Sequence, residues 1–402
     1  MSQPTENIGS LSPGLNNRLP QTQLGFRTQE GKKTWLAKAT NVDLDELGRL
    51  QLRKGYTLRT AGRTHSLWSD KFGGFVVLDG DLRSFDGEVG GAIRSGMPEI
   101  PVSYSRGADG DVYWSNGQNI RRIADGVDSP IAAQVPVAPW ATTGSGALSS
   151  GRYLIAFTYS SADGESAATP VQALQVPVNG SIEFAAASQP SGGVLNAYVS
   201  APDGAVMFLA ATTTGGAVSI AAPSNSGREI STLDAAQLPP GQIVRHFLGR
   251  LVVASGSVLY YSLPFNYGLY KPSAGFVPFP ERITVVEPVD GGLYIAAGKT
   301  YFLPSFDAEL REVLPYDAVE GTSGHVPNTG SVYWRSQRGL VIGDANGQVR
   351  NIQEAALDFE EASSGASLFR EQDGNVHVVA SVLPSATANA SIGAVFTPKF
   401  IP

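Results

Sequence analysis

The sequence predicts an all-β fold: a β-propeller of about five to seven blades interrupted by an inserted β-sandwich. Three observations carry this. Gly (46) and Pro (26) make up about 18% of the 402 residues, too many for long helices, while 42% hydrophobic residues suit packed cores. A phrase recurs along the chain, in which a Gly precedes two or three apolar or aromatic residues, a short turn and a second apolar strand. Finally, residues 142–227 hold only Arg152, Asp163, Glu165, Glu183 and Asp203 as charges, a composition shift that marks a separate domain.

In chain order, residues 1–30 are polar and rich in turn formers and read as an extended N-terminal arm. The first part of the propeller covers residues 31–141. It opens with a hairpin, Val42 and Leu44 on one strand, a turn at Asp45 to Gly48, and Leu50 and Leu52 on the next, expected to close the ring against C-terminal strands. Copies of the phrase then start near Gly74 and Gly110.

The inserted sandwich spans 142–223. The run Gly144-Ser145-Gly146, a degenerate match to a hydrolase elbow, reads as a linker. Beyond it, Tyr153, Ile155, Phe157 and Tyr159 alternate with Leu154, Ala156 and Thr158 as the opening strand, and Asp163-Gly164 turns the chain. Strands follow at 173–178, 181–187, 195–201, 206–212 and 217–222, with Asp203-Gly204 and Gly215-Gly216 as hairpin signals.

The second part of the propeller, 224–402, carries further copies near Gly249, Gly292, Gly330 and Gly374. With the sandwich removed, the period is about 40 to 50 residues, that of a blade. Each repeat buries its apolar face only if its neighbours continue the ring. One short helix is expected at 353–362, where Glu354, Glu360 and Glu361 keep one side polar.

Composition also excludes function classes. Without Cys there is no disulfide, thiolate metal site or thiol nucleophile. A net charge of -7 argues against binding nucleic acid over the whole surface. The uncharged stretches within 129–151 and 204–227 are broken by Pro130, Pro136, Pro139 and Gly215-Gly216, so no membrane-spanning segment is expected. The start, Met1 to Glu6, lacks a basic n-region and an apolar h-region, and the chain is expected to be made and kept in a cytoplasm.

His65, His246, His325 and His377 fall in separate repeats without ligand spacing, and Asp79, Asp81 and Asp86, like Asp109 and Asp111, read as turn residues. No metal and no cofactor are expected. Propellers also house glycosidases, and Asp70, Asp111, Glu287 and Asp344 occupy comparable repeat positions. The Asp-box turns of sialidase-like propellers are absent, however, and a non-enzyme is expected.

Two segments are candidate interfaces. Residues 18–63 carry ten basic against four acidic side chains, a net of +6 that leaves -13 for the rest, with Arg49, Arg53 and Lys54 on the hairpin. This is either a docking surface for an acidic partner or cationic protection of a sheet edge; nucleic acid is a third reading, against which base-stacking aromatics are sparse there. Between residues 263 and 280 stand Phe265, Tyr267, Tyr270, Phe276 and Phe279 among four prolines, either tucked over the propeller as a blade crossing or buried between subunits.

Several phrases resemble a family of phage and prophage virion proteins. They are Asn41 to Leu50 (NVDLDELGRL), Lys54-Gly55-Tyr56, His65-Ser66-Leu67-Trp68-Ser69-Asp70, Val112-Tyr113-Trp114-Ser115-Asn116-Gly117, and the run from Tyr260-Tyr261-Ser262 through Pro278-Phe279-Pro280-Glu281-Arg282-Ile283. The resemblance covers nearly the whole chain and brings no catalytic residues. The architecture looks like the tail hub or nozzle proteins of short-tailed phages, and the sandwich resembles a fibronectin type III domain, although Trp140 precedes it.

The resemblance implies a virion tail component, assembled in the bacterial cytoplasm as a homohexameric ring. Its neighbours would be a tail adaptor or other tail proteins, and viral DNA would pass through the lumen without tight binding. The alternative expectation is a carbohydrate-binding or carbohydrate-cleaving propeller of a tail fibre or spike, contacting the host envelope.

Overall fold

The computed structural model describes residues 10–44, 49–53, 55, 57–187, 192–222, 227–372 and 375–385. Among these, the regular elements are all strands except one 3-10 turn at Gln21–Gln23. The chain divides into two compact units, Arg63–Pro278 and the terminal unit formed by Met1–Gly62 with Phe279–Pro402.

The 63–278 unit contains three four-stranded antiparallel meanders. Sheet 1 runs Thr64–Asp70, Gly73–Leu78, Asp81–Phe85 and Val89–Ser95, and sheet 2 runs Ser103–Arg106, Val112–Ser115, Ile120–Ala124 and Val127–Pro130. Sheet 3 runs Ile243–Phe247, Arg250–Ser255, Val258–Tyr261 and Phe276–Pro278. The repeated phrase of the sequence is the second strand of each sheet. Val112–Ser115 is buried on both faces, and Arg250–Ser255 nearly so, which is why these strands read as apolar runs without alternation.

Successive sheets share cores. Val77, Leu82, Tyr104, Val112 and Trp114 join sheets 1 and 2; Tyr113, Ile120, Val244, Leu251 and Val253 join sheets 2 and 3. Asp128, almost fully buried, accepts from Arg94 of sheet 1 (2.9 Å) and from Arg121 (2.6 Å) and the Trp114 indole (2.9 Å) of sheet 2. A buried carboxylate is tolerable when cations and donors engage both of its oxygens in this way.

The same unit holds a β-sandwich. One sheet orders Thr142–Leu148, Gly180–Ala186 and Gly216–Ile220; the other is built on the long strand Gly151–Ser161, flanked by Val194–Ser200 with Met207–Thr213 on one side and by Gln172–Val176 and Gly164–Glu165 on the other. Tyr153, Ile155, Phe157, Val176, Ile182, Phe184 and Leu195 fill the space between them. Gly144-Ser145-Gly146 is therefore not a linker but part of the first strand, paired with residues 180–183. Ser and Gly obscured its alternation.

The opposite face of Gly151–Ser161 is covered as well. Ile230 and Leu233 pack on Leu154, Ala156 and Tyr198, while Glu165 accepts from Tyr198 (2.7 Å) and Arg228 (2.5 Å).

The terminal unit contains two further meanders. Sheet 4 runs Val285–Val289, Gly292–Ala297, Lys299–Leu303 and Arg311–Leu314; sheet 5 runs Gly324–Val326, Ser331–Ser336, Gly339–Gly343 and Val349–Asn351. Tyr294, Phe302 and Trp334 form the centre of their common core. The sixth copy differs, because the described strands around Gly374, Ala362–Gln372 and Asn375–Pro384, form a two-stranded hairpin.

The hairpin Val42–Leu44 with Leu50–Leu52 meets that element through Asp43, which pairs with Arg53 (2.8 Å) and Arg370 (3.4 Å). Its turn, 45–48, lies outside the described residues. From Ser10 onward the residues expected as an extended arm instead fold back, with a hairpin Gly25–Thr28 with Gly31–Thr34 and bridges Ser10 to Lys33 and Leu15 to Leu36.

The helix expected at 353–362 does not form. Asn351 accepts from the amides of Gln353 and Glu354, and one turn closes when Leu357 donates to the Gln353 carbonyl. Asn17 then takes both backbone groups of Asp358, at 2.8 Å each, so the helical ladder cannot continue.

Candidate interaction surface

Within the 63–278 unit, the turns joining the first two strands of sheets 1, 2 and 3 are linked by side-chain contacts. Phe72, at the sheet 1 turn, is 69% exposed and flanked by two cations, Lys71 Nζ 4.8 Å and the Arg106 guanidinium 5.2 Å from the ring centroid. Arg106 is held in place by both oxygens of Asp70, at 2.6 and 3.2 Å, and by the Gly110 carbonyl. Burial pushes the Asp70 carboxyl up, but the Arg106 bonds and the Phe72 amide outweigh it and hold it below its ordinary value.

At the sheet 2 turn, the Tyr113 hydroxyl donates to Asp109 at 2.6 Å. Burial, with Asp109 beside it, raises the Tyr113 pKa well beyond the phenol range. Tyr267 packs edge-on against Tyr113 (5.2 Å) and His246 (5.5 Å), accepts from the Ala108 amide and lies 3.1 Å from His246 Nε2. Burial lowers the His246 pKa, favouring the neutral imidazole that can accept from the Tyr267 hydroxyl.

The sheet 3 turn is unusual. A two-residue turn with positive φ at both central positions favours Asn-Gly or Asp-Gly. Two neighbouring hairpins obey, with Asp79 (φ 51) and Gly80, and Asp125 (φ 48) and Gly126. Here Leu248 takes that place at φ 47, followed by Gly249, and its side chain is 57% exposed.

Phe265, at φ 55 and 77% exposed, donates its amide to the Gly249 carbonyl at 2.8 Å and lays its ring where a side chain on Gly249 would sit. Two bulky apolar residues are thus held outward in a backbone region that costs an L-residue about 1 to 2 kcal/mol. Both could have been Asn or Gly without loss of the turns.

The residues of the aromatic segment differ in burial. Tyr267 and Phe279 are buried, and Tyr270 is half-buried against Tyr260 at 5.4 Å. Phe265 and Phe276 are exposed. Of the basic candidates, Arg53 is engaged by Asp43, Arg49 is exposed, and Lys54 lies outside the described residues.

The four carboxylates at comparable repeat positions are each occupied locally. Asp70 holds Arg106, Asp111 faces Arg122 at 3.6 Å, Glu287 accepts from Ser323 (2.7 Å) with His325 at 3.3 Å, and Asp344 accepts from the amides of Asn346 and Gln348. Among the described residues no group of three or more acidic or imidazole side chains could hold a metal, and no helix is long and apolar enough to cross a membrane.

Leu248, Phe72 and Arg106 escaped the sequence reading. For Leu248 a signal existed, in Leu-Gly standing between two apolar strands at Asp-Gly spacing.

No protein-family model and no curated protein matches the chain. Among solved structures it is similar to BBS1N in complex with ARL6DN. The mercury-soaked crystal gives 10% identity, 83% coverage of this chain, 95% of that chain and a TM-score of 0.30; the lead-soaked one gives 8%, 80%, 93% and 0.29. A protein of unknown function from Bacteroides caccae gives 12% identity, 67% and 88% coverage and a TM-score of 0.23. Likeness at this level carries no functional inference.

Proposed function

We propose that the chain is a non-enzymatic virion protein: a β-propeller with a fibronectin type III-like insert that assembles as a homohexameric tail hub or nozzle ring below a portal and adaptor, passing DNA without gripping it. The sequence phrases that resemble those of phage virion proteins support the setting. The observation that carries an assembly role is the outward, conformationally costly placement of Leu248 and Phe265, together with the exposed Phe72. Strain of this kind persists where a contact made elsewhere uses it, and aromatic rings bordered by arginine are the residues that dominate protein interfaces.

The face-packed meanders of each unit, three in 63–278 and two in the terminal unit, support the propeller, and the Asp43 to Arg370 pair supports a last blade assembled from both chain ends. The test is electron microscopy of the purified chain, wild type against Leu248→Asp with Phe265→Ser. Rings from the wild type and dispersed, folded protein from the variant are expected. Rings from both would remove Leu248 and Phe265 from the interface.

A further inference from the structure

Three Asn-Gly pairs stand in the sequence, Asn116-Gly117, Asn179-Gly180 and Asn346-Gly347. Because glycine has no Cβ, the nitrogen that follows such an asparagine can approach the side-chain amide without steric hindrance. The fold guards the three pairs differently. Asn116 is 6% exposed, its Oδ1 accepts from the amides of Gln118 (3.0 Å) and Asn119 (2.8 Å), and the Gly117 amide donates to the Gly241 carbonyl at 2.9 Å. Asn179 is exposed, but the Gly180 amide donates to the Pro177 carbonyl at 3.1 Å. Asn346 is exposed with no hydrogen bond to its side chain among the described residues, and the Gly347 amide reaches the Asp344 carbonyl only at 3.5 Å, beyond the ordinary range.

A second feature singles out Asn346-Gly347. Arg311 lies over the Phe302 ring at 5.3 Å and donates from Nη2 to the carbonyl oxygens of Asn346 (3.3 Å) and Gly347 (3.4 Å). The first of these oxygens belongs to the peptide bond whose nitrogen is that of Gly347. When this nitrogen loses its proton, resonance moves negative charge onto the Asn346 oxygen, where a guanidinium donor stabilises it. Glycine is fixed at the position, since its φ is 82° and a Cβ would collide with Arg311 Nη2 and the Phe302 ring.

We propose that Asn346 is a site of spontaneous deamidation that Arg311 promotes. The Gly347 nitrogen bonds to Asn346 Cγ, the Cγ–Nδ2 bond breaks, and ammonia leaves with the proton that Gly347 lost. One water then opens the succinimide at either ring carbonyl and leaves aspartate or isoaspartate, so the net reaction consumes one water and releases one ammonia. The turn that changes is tied to the core of sheets 4 and 5, because the Tyr294 hydroxyl lies 2.8 Å from the Asp344 carbonyl oxygen and 3.0 Å from that of Gln348. A single chain suffices, so this stands apart from the tail-ring reading.

The full chain is incubated at mildly alkaline pH, folded and in urea, and amide loss at each Asn-Gly pair is followed by peptide mapping with mass spectrometry. Urea gives every pair its unguarded rate. Relative to that rate, folding should slow Asn116 by about tenfold or more, because a buried hydrogen bond must be given up before Gly117 can attack, and should leave Asn346 within about threefold. Arg311→Met, whose unbranched side chain still covers Phe302, should slow Asn346 about fivefold in the folded chain and not at all in urea. Protection of Asn346 by folding as strong as that of Asn116 overturns the proposal, and so does an unchanged folded-state rate in Arg311→Met. If Arg311→Met fails to fold, the comparison of folded wild type with wild type in urea decides alone.

Discussion

Replacing Phe265 by Asn should leave the fold at least as stable while weakening self-association. Asn accepts the left-handed conformation at φ 55 that a phenylalanine occupies at a cost of about 1 to 2 kcal/mol. Fully burying a Phe is worth about 1.5 to 3 kcal/mol, and this ring is 77% exposed, so about a quarter of that, roughly 0.4 to 0.7 kcal/mol, is lost. The amide bond to Gly249 survives, because it belongs to the backbone. The balance is a gain of about 0.3 to 1.6 kcal/mol. An interface anchor, by contrast, is worth about 2 kcal/mol or more, or about 30-fold in association. Urea unfolding and sedimentation equilibrium read the two effects separately. A stability loss above about 1.5 kcal/mol with unchanged association would mean that Phe265 holds the fold together, and the argument from its exposure would fail.

Three more outcomes are expected. Gly268→Ala should destabilise the 63–278 unit by about 2 kcal/mol or more, because a Cβ there collides with the Ile131 carbonyl oxygen; a melting temperature within a degree of wild type would contradict this. His65 and His246 are both held below their ordinary value of 6.5 by burial, so as pH falls through that range the unfolded chain binds protons that the folded chain refuses and stability drops. Melting at pH 7.5 against 5.5 should show the fall, and His65→Gln with His246→Gln should flatten it. Excising 142–223 should leave Ile230 and Leu233 uncovered and the product prone to aggregate, whereas a cut extended to 233 should melt cooperatively; identical behaviour of both deletions would show that the 228–233 segment does not depend on the sandwich.

The periodic features were readable because they follow from burial. Strands with apolar residues on both faces, such as Val112–Ser115 and Gly292–Ala297, announce themselves as runs, and each coincides with a copy of the repeated phrase. Turn residues located the reversal at Asp163-Gly164, and Asp79 is a turn residue as read. What stayed hidden depends on distant partners. The 353–362 stretch has helical composition, yet Asn17 captures Asp358 across more than 300 positions of sequence, which no local pattern records. Thr142–Leu148 is a strand because Gly180–Ala186 pairs with it, not because Ser and Gly favour one. The candidate surface was half legible. Aromatic density drew attention to 263–280, but only folding separates the buried Tyr267 from the outward Phe265, and only it brings Phe72 and Arg106 together.

The most direct measurement is cryo-electron microscopy of phage particles, with the chain located by a tag inserted in the sandwich loop at Gly192. The account predicts six copies in a ring on the tail axis, with Phe265, Leu248 and Phe72 covered by a neighbouring protein. A particle in which those three side chains remain in solvent, or in which the chain is absent from the tail axis, would contradict it.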